Sequence, residues 1–459
     1  MIRRKSGRAT GIGRRDFLAG TAAIAAGSAA FPAPALAQGQ RVARVWGEPG
    51  PYAGVFVQGM NEWAQKNAPG LKFEVETIPW DGVYVKLMTD LAARRPPALI
   101  SVEHPIAFQL MAEGLLEPVD DVAQRVNAAA RMVDGLKLEH YGNWKGTQFI
   151  MPAHHQGHLL LVQTDVIQEL GLGDPNTWSW NELANAAKTV SEKKPGMAGI
   201  TLALGRNLCT DYHFAALLHQ AGGMTYDAQN KFEVAFDSPA TVEALEFVKR
   251  LYGYMPKGAV EYSFLQVVDQ HVTGKTAMSF YWGRTMGRAA EEAPNVFAKM
   301  EAFNHAKHPT TGKRSTWTDL QGWCVPKANN PYVKEVKEAM VYVQNSVEWG
   351  VKYCHSLMPN VAPVYKDVAS AADMPSHPFF KSKPKSVETY FTGYVPNISS
   401  TANEHLRGAN PLAGICHGRS MWAQVVQRVL IENVAPAEAA KWGARQFEEI
   451  RKENIRLVL

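Results

Sequence analysis

Short alternating runs of apolar and polar residues punctuate this chain, and helical spacing fills the gaps between them. Residues 41–46 alternate as a strand, broken by Gly47, Glu48, Pro49 and Gly50. Over 53–67 the residues Val55, Phe56, Gly59, Met60 and Trp63 fall on one side of a helix, which Pro69 and Gly70 end. Residues 71–78 alternate strictly as a second strand. A helix over 83–93 follows, and 98–102 is an apolar run suited to a buried strand. Residues 106–113, closed at Gly114, form the next helix. This β-α-β-α-β order predicts a mostly parallel sheet covered by helices. Ligands of such sheets lie beyond the carboxyl ends of the strands, which puts Glu48, Glu103 and His104 where a ligand could sit.

The middle of the chain repeats the theme. Residues 149–151 and 159–162 are strand-like, and 164–170 are helical. Ser179 with Glu182 three residues later has capping-box spacing for another helix. Residues 200–203 are apolar, and 241–251 form an amphipathic helix behind Asp237, Ser238 and Pro239. An apolar strand over 276–280 ends at Tyr281, Trp282, Gly283 and Arg284. A strand over 322–326 and helices near 332–345, 349–355, 419–433 and 436–454 complete the pattern. No internal repeat is present, and the one biased tract is at the start.

That tract changes the charge balance. Residues 1–37 open with Arg3, Arg4, Lys5 and Arg8, reach Arg14 and Arg15, continue through an alanine-rich stretch and end in Ala35, Leu36 and Ala37. Charged start, short apolar middle and small-residue exit predict a cleaved export signal, and the paired arginines predict the twin-arginine route. No cysteine follows the cleavage point, so a free periplasmic protein is expected. Of 48 basic and 43 acidic side chains, six and one lie in this leader, which therefore holds the whole net charge of +5. The neutral remainder offers no global field for nucleic acid, and no later segment reaches the roughly 18 apolar residues of a membrane helix. Its length suits two domains. Cys209, Cys324, Cys354 and Cys416 show no metal-ligand rhythm and are expected as thiols.

Chemistry-bearing motifs are sparse. Gly274, Lys275 and Thr276 resemble the end of a P-loop, but Asp269 stands where that loop needs glycine. His154, His155 and His158 lie in extended chain. There, residues four apart are separated by about 13 Å, too far for one zinc. No serine–histidine grouping assembles, so catalytic residues, metals and cofactors are expected to be none. Aromatics at strand ends are the better lead. Trp46 precedes Glu48, Trp282 precedes Arg284, and Asp319 and Gln321 precede Trp323; an indole face packs on a sugar's C–H face while the polar neighbours meet its hydroxyls.

Six segments then resemble, in order, the extracellular solute-binding proteins of carbohydrate ABC importers, the group of maltose- and glycerol-3-phosphate-binding proteins. Residues 111–120 (MAEGLLEPVD) are similar to that family's GxLxPLD stretch, 159–171 to its YNxDxFxxxG stretch, and 177–183 (TWSWNEL) to TWDEL. Residues 236–245 resemble FxSxxxxxAL, 274–278 (GKTAM) resemble GKAAM, and 322–326 (GWCVP) resemble GWGLAIPK. The resemblance implies an α/β fold with two discontinuous lobes, 38–151 with 285–346 and 152–284 with 347–459. It further implies ligand-driven closure of a hinge over a cleft, and docking on permease subunits. It makes Trp282 the ligand-stacking tryptophan. The candidate ligand-binding set is Trp46, Glu48, Tyr52, Glu103, His104, His154, His155, Trp282, Arg284, Asp319, Gln321 and Trp323. A neutral sugar or polyol bound by a monomer, without nucleic acid, is the leading expectation. An anionic sugar derivative is the alternative, and a cofactor-dependent periplasmic enzyme a third.

Overall fold

A computed structural model describes residues 41–78, 82–404, 406 and 408–459, except the side chains of Val102 and His104. The leader expected over residues 1–37 lies outside the described residues. Strand β1 (Arg41–Gly47) pairs parallel with β2 (Leu71–Thr77) and β3 (Leu99–Val102), joined by α1 (Tyr52–Asn67) and α2 (Val83–Ala92). Helix α3 (His104–Ala112) leaves the end of β3. The polar alternation of β2 is genuine at its start, where Leu71 and Phe73 are buried while Lys72 and Glu74 are exposed.

Strand β4 (Ile150–Gly157) adds to this first sheet, and β5 (Leu159–Gln163) starts one residue later in a second sheet, so His158 is a crossing point. Helix α4 (Trp180–Lys193) carries the predicted capping box between Ser179 and Glu182. It is followed by β6 (Ala198–Thr201), α5 (Leu208–Gln220), α6 (Pro239–Tyr252) and α7 (Phe264–Val272). Ser238 caps α6 through the Thr241 N–H. Next come β7 (Thr276–Tyr281), α8 (Arg284–Glu292), β8 (Met300–Phe303) and β9 (Thr316–Cys324), which re-enters the first sheet. Helices α9 (Val333–Asn345) and α10 (Val347–His355) pack on α1. After β10 (Ala362–Pro363) and β11 (Ile398–Ser399), the chain ends in α11 (Ala413–Gly418), α12 (Met421–Leu430) and α13 (Pro436–Glu453), the last two packed together and on α5 and α6.

The first sheet runs β10-β4-β9-β3-β1-β2, with β11 beside the start of β9; the second runs β8-β5-β7-β6. Only β1, β2 and β3 form the expected parallel core of the first sheet. β4 leaves that sheet and β9 returns to it, so the two run in opposite directions and pair antiparallel along their length. Helix α5 has no counterpart in the hydrophobic pattern, because every residue from Cys209 to Gln220 is buried and no polar face exists to set a period. The second sheet's core includes Leu160, Val162, Ile200, Phe214, Met278 and Trp422.

Burial also fixes the chemistry of the interior. Cys209, Cys324, Cys354 and Cys416 are all buried thiols, and burial pushes Cys354 up to about 12. It holds the imidazoles of His154, His155, His271, His305 and His417 down at about 3, and His213 at about 4. An imidazole normally titrates near 6.5, so burial favours the neutral ring throughout the range where a free imidazole would titrate. The ring nitrogens of these six residues are expected to keep neutral-imidazole 15N shifts between about pH 5 and about pH 8. An imidazole protonation step in that interval would contradict their enclosure. Gly199 of β6 offers a packing test, since a Cβ there would meet the Ala187 carbonyl of α4 at 1.9 Å. Gly199→Ala should therefore cost about 1–3 kcal/mol in urea unfolding; an unchanged midpoint would mean that α4 moves aside freely.

Candidate functional site

β1 stops at Gly47, where a Cβ would lie 2.4 Å from the Ala53 Cβ, so glycine lets α1 begin directly behind the strand. The turn brings Glu48 against the first residue of that helix, and the Tyr52 hydroxyl donates to its Oε2. Glu48 Oε1 has no partner among the described residues. Glu103 occupies the N-cap of α3, yet its carboxylate accepts from the Tyr212 hydroxyl of α5 instead of capping the helix. That bond ties the start of α3 to α5.

β9 supplies the third carboxylate. Strand alternation puts Trp317, Asp319 and Gln321 on one face. Trp317 Nε1 donates to Asp319 Oδ1 at 2.7 Å, and Gln156 Nε2 donates to Oδ2 at 3.1 Å. Gln156 faces Asp319 across the β4–β9 pairing. It accepts from the Asn360 amide, whose Oδ1 in turn accepts the Arg284 N–H at 3.0 Å. Tyr212 stacks on Trp317 with ring centroids 4.2 Å apart.

Trp282, at the end of β7, is 4% exposed and stands edge-on to His158 at 5.0 Å and to Tyr212 at 6.0 Å. Its N–H lies near enough to ease the charge of Asp319, as Gln321 does for Glu48. Neither Trp282 Nε1 nor either Gln321 amide atom completes a hydrogen bond among the described residues. His154 Nδ1 lies 2.8 Å from the Tyr353 hydroxyl, and its ring stands 5.3 Å from that of Tyr52.

Electrostatics follow from this enclosure. Burial lifts Glu48 to about 8, with Asp319 adding to the rise, and lifts Asp319 itself to about 7. Glu103 is driven well above the usual carboxylate range by burial, then by Asp319 and Glu48. Half-buried Arg284 draws all three down. A cavity of about 460 Å³ opens beside the cluster, lined by Tyr84 and Ile106 on one side and Asn207, Leu208 and Glu261 on the other. His417, also in its wall, lies 5.2 Å from the Tyr212 ring and so ties the cavity to the cluster. The arrangement offers buried acceptors, donors and aromatic faces.

Eight of the expected residues thus come together: Glu48, Tyr52, Glu103, His154, Trp282, Arg284, Asp319 and Gln321. Three do not. Trp46 packs with Ile78, Leu87 and Ile100, donates to Glu76 at 3.2 Å and lies under Lys86; the strand ends before Glu48 can share its face. Trp323 stacks on Phe56 at 4.3 Å inside the first core. His155 points to the other side of β4 from His154 and meets the Tyr394 hydroxyl at 2.5 Å. The His104 side chain lies outside the described part. Tyr212, Gln156 and Asn360 belong to the cluster without having been expected. Period-two alternation from His154 could have found Gln156; nothing in the sequence flagged α5 or the loop of Asn360.

Relatives place this geometry in context. Over 311 residues the chain is 22% identical to a mannitol-binding protein of Pseudomonas aeruginosa, covering 64% of this chain and 67% of that one. Over 270 residues it is 24% identical to a binding protein of Brucella abortus, covering 58% and 62%. Among solved structures, an ABC transporter solute-binding protein of Thermotoga lettingae bound with α-D-tagatose superimposes with a TM-score of 0.73. It is 20% identical, over 89% of this chain and 99% of that one. One of Agrobacterium radiobacter in complex with ribitol gives 0.73 at 18% identity, over 90% and 99%. The fold is the two-lobed fold of periplasmic binding proteins. No helix among the described residues is long and apolar enough to cross a membrane. With residues 50–346 matching the family model, this chain belongs to the bacterial extracellular solute-binding proteins, a family of binding proteins and not enzymes.

Proposed function

We propose that this protein captures a carbohydrate or polyol between its lobes and delivers it to permease subunits in the inner membrane. The observation that carries the reading is unspent hydrogen-bonding capacity where the two sheets meet. Glu48 Oε1, both Gln321 amide atoms, Trp282 Nε1 and His154 Nε2 are buried without partners among the described residues. Each such group costs about 1–3 kcal/mol when left unsatisfied. A ring or chain of hydroxyls answers acceptors and donors together, and its C–H face suits the surrounding aromatic rings. Mannitol, ribitol and tagatose, named for the relatives, are ligands of this class. Three carboxylates against one arginine disfavour the anionic alternative.

Sheet membership supports one lobe around 41–157 with 316–355 and another around 159–303 with 421–453. In this reading, unlike the division expected from sequence, 300–303 joins the second lobe, and 152–157 and 347–355 join the first. Residues 1–37 are read as a twin-arginine leader that delivers a monomer to the periplasm, a reading supported by their charge and cleavage pattern.

A thermal-shift screen of sugars, polyols, sugar acids and glycerol phosphates tests the proposal. A ligand at 100 times its Kd adds about 2.7 kcal/mol to stability. A neutral sugar or polyol is expected to raise the melting temperature, and Trp282→Ala to abolish the rise. A response confined to anions would overturn it. The carboxylates add a pH signature. With Glu48 near 8 and Asp319 near 7 in the folded state, against 4.5 and 3.8 ordinarily, the ligand-free fold takes up protons that the unfolded chain does not. Its stability therefore rises as pH falls from about 8.5 to about 6.5. Hydroxyl donors favour the ionised carboxylates, so stabilisation by ligand should be larger at the higher pH. Scanning fluorimetry at both pH values checks the two signs, and a pH-independent ligand-free melting temperature would contradict the enclosure of these carboxylates.

A further inference from the structure

The three carboxylates reach one place from separate parts of the first sheet: Glu48 follows β1, Glu103 follows β3, and Asp319 lies within β9. Each is at most 3% exposed. Their protein partners are neutral. Tyr52 serves Glu48, Tyr212 serves Glu103, and Trp317 and Gln156 serve Asp319. Among the described residues, Arg284 is the cation that acts on all three. Its backbone N–H is fixed by Asn360, while no ion pair between its guanidinium and any of these carboxylates is formed among the described residues. Ionised, the cluster therefore carries two negative charges more than its arginine offsets, and Glu48 Oε1 is left open.

We infer that the ligand carries a protonated amine on its polyhydroxy frame, as an amino sugar or aminopolyol does, and that the ammonium sits among Glu48, Glu103 and Asp319. The inference rests on the solute-binding reading of this site. A neutral sugar leaves the carboxylates protonated or repelling one another. An ammonium presents three donors to clustered acceptors and supplies the opposite charge that a buried carboxylate requires. The rings of Tyr52, Tyr212 and Trp282 add faces and edges that suit a cation beside an apolar C–H surface. The same geometry explains why an arginine is present without pairing to any one carboxylate. It moderates their repulsion from a distance and leaves their oxygens open to the ligand.

The test compares matched pairs by isothermal titration near neutral pH, using the full mature chain. The pairs are D-glucosamine and D-glucose, 1-amino-1-deoxy-D-glucitol and D-glucitol, and the corresponding pentoses and pentitols, with the N-acetylated amines as neutral isosteres. The expected result is that an amine binds at least about 30-fold more tightly than both its hydroxyl and its N-acetyl counterpart, the factor associated with a buried charge pair. Glu48→Gln should remove about that factor for the amine while changing neutral ligands far less. Its ligand-free melting temperature shows whether the variant is folded, and the wild-type comparison stands without it. Equal or tighter binding of the neutral partner overturns the inference and leaves the solute-binding reading intact. If no member of the panel binds, the reading of this site as a sugar or polyol cleft falls, and the inference falls with it.

Discussion

A carboxylate taken out of water costs several kcal/mol unless charge or hydrogen bonds replace its hydration, and this fold buries three of them together. Two tyrosine hydroxyls, an indole N–H from Asp319's own strand and a glutamine amide from the strand beside it meet part of that cost. The Tyr212–Glu103 bond also ties α5 to the start of α3, so the contact that quiets a charge fixes one helix against another. A chain of hydrogen bonds extends the arrangement from Asp319 through Gln156 and Asn360 to the start of α8.

Much of the fold was legible because one-sided burial imprints a period. The strand at 71–77, the capped helices at 180 and 239 and the apolar run at 276–281 follow their patterns closely. What could not be read was burial on every side. α5 holds Asp211, His213 and Gln220 in the interior beside leucines, and a helix with no wet face carries no amphipathic signal. Strand direction was also hidden, since a passage between two sheets has the same composition as a strand within one.

The site was legible where a strand ends in polar residues. Glu48 and Glu103 were found that way, Asp319 and Gln321 as polar neighbours of Trp323 that prove to lie within β9, and the structure brings the four together. Tryptophan was a less certain guide. Trp46, Trp282 and Trp323 all stand near strand ends, yet Trp46 and Trp323 turn into separate cores while Trp282 reaches Asp319. A tryptophan's face is decided by where its strand stops and by the partner strand's bulge, such as the register shift at Gln321 and Gly322. Neither is encoded in the tryptophan's own surroundings.

The four thiols carry a consequence of their own. Each is enclosed by the fold, and burial raises Cys324, Cys354 and Cys416 far from the thiolate form that oxidants and disulfides attack. The folded chain thus acts as its own protecting group. Oxidation can reach these sulfurs only before folding is complete or after it is lost. A disulfide found in a sample would then record a molecule's history, marking chains that met an oxidant while open.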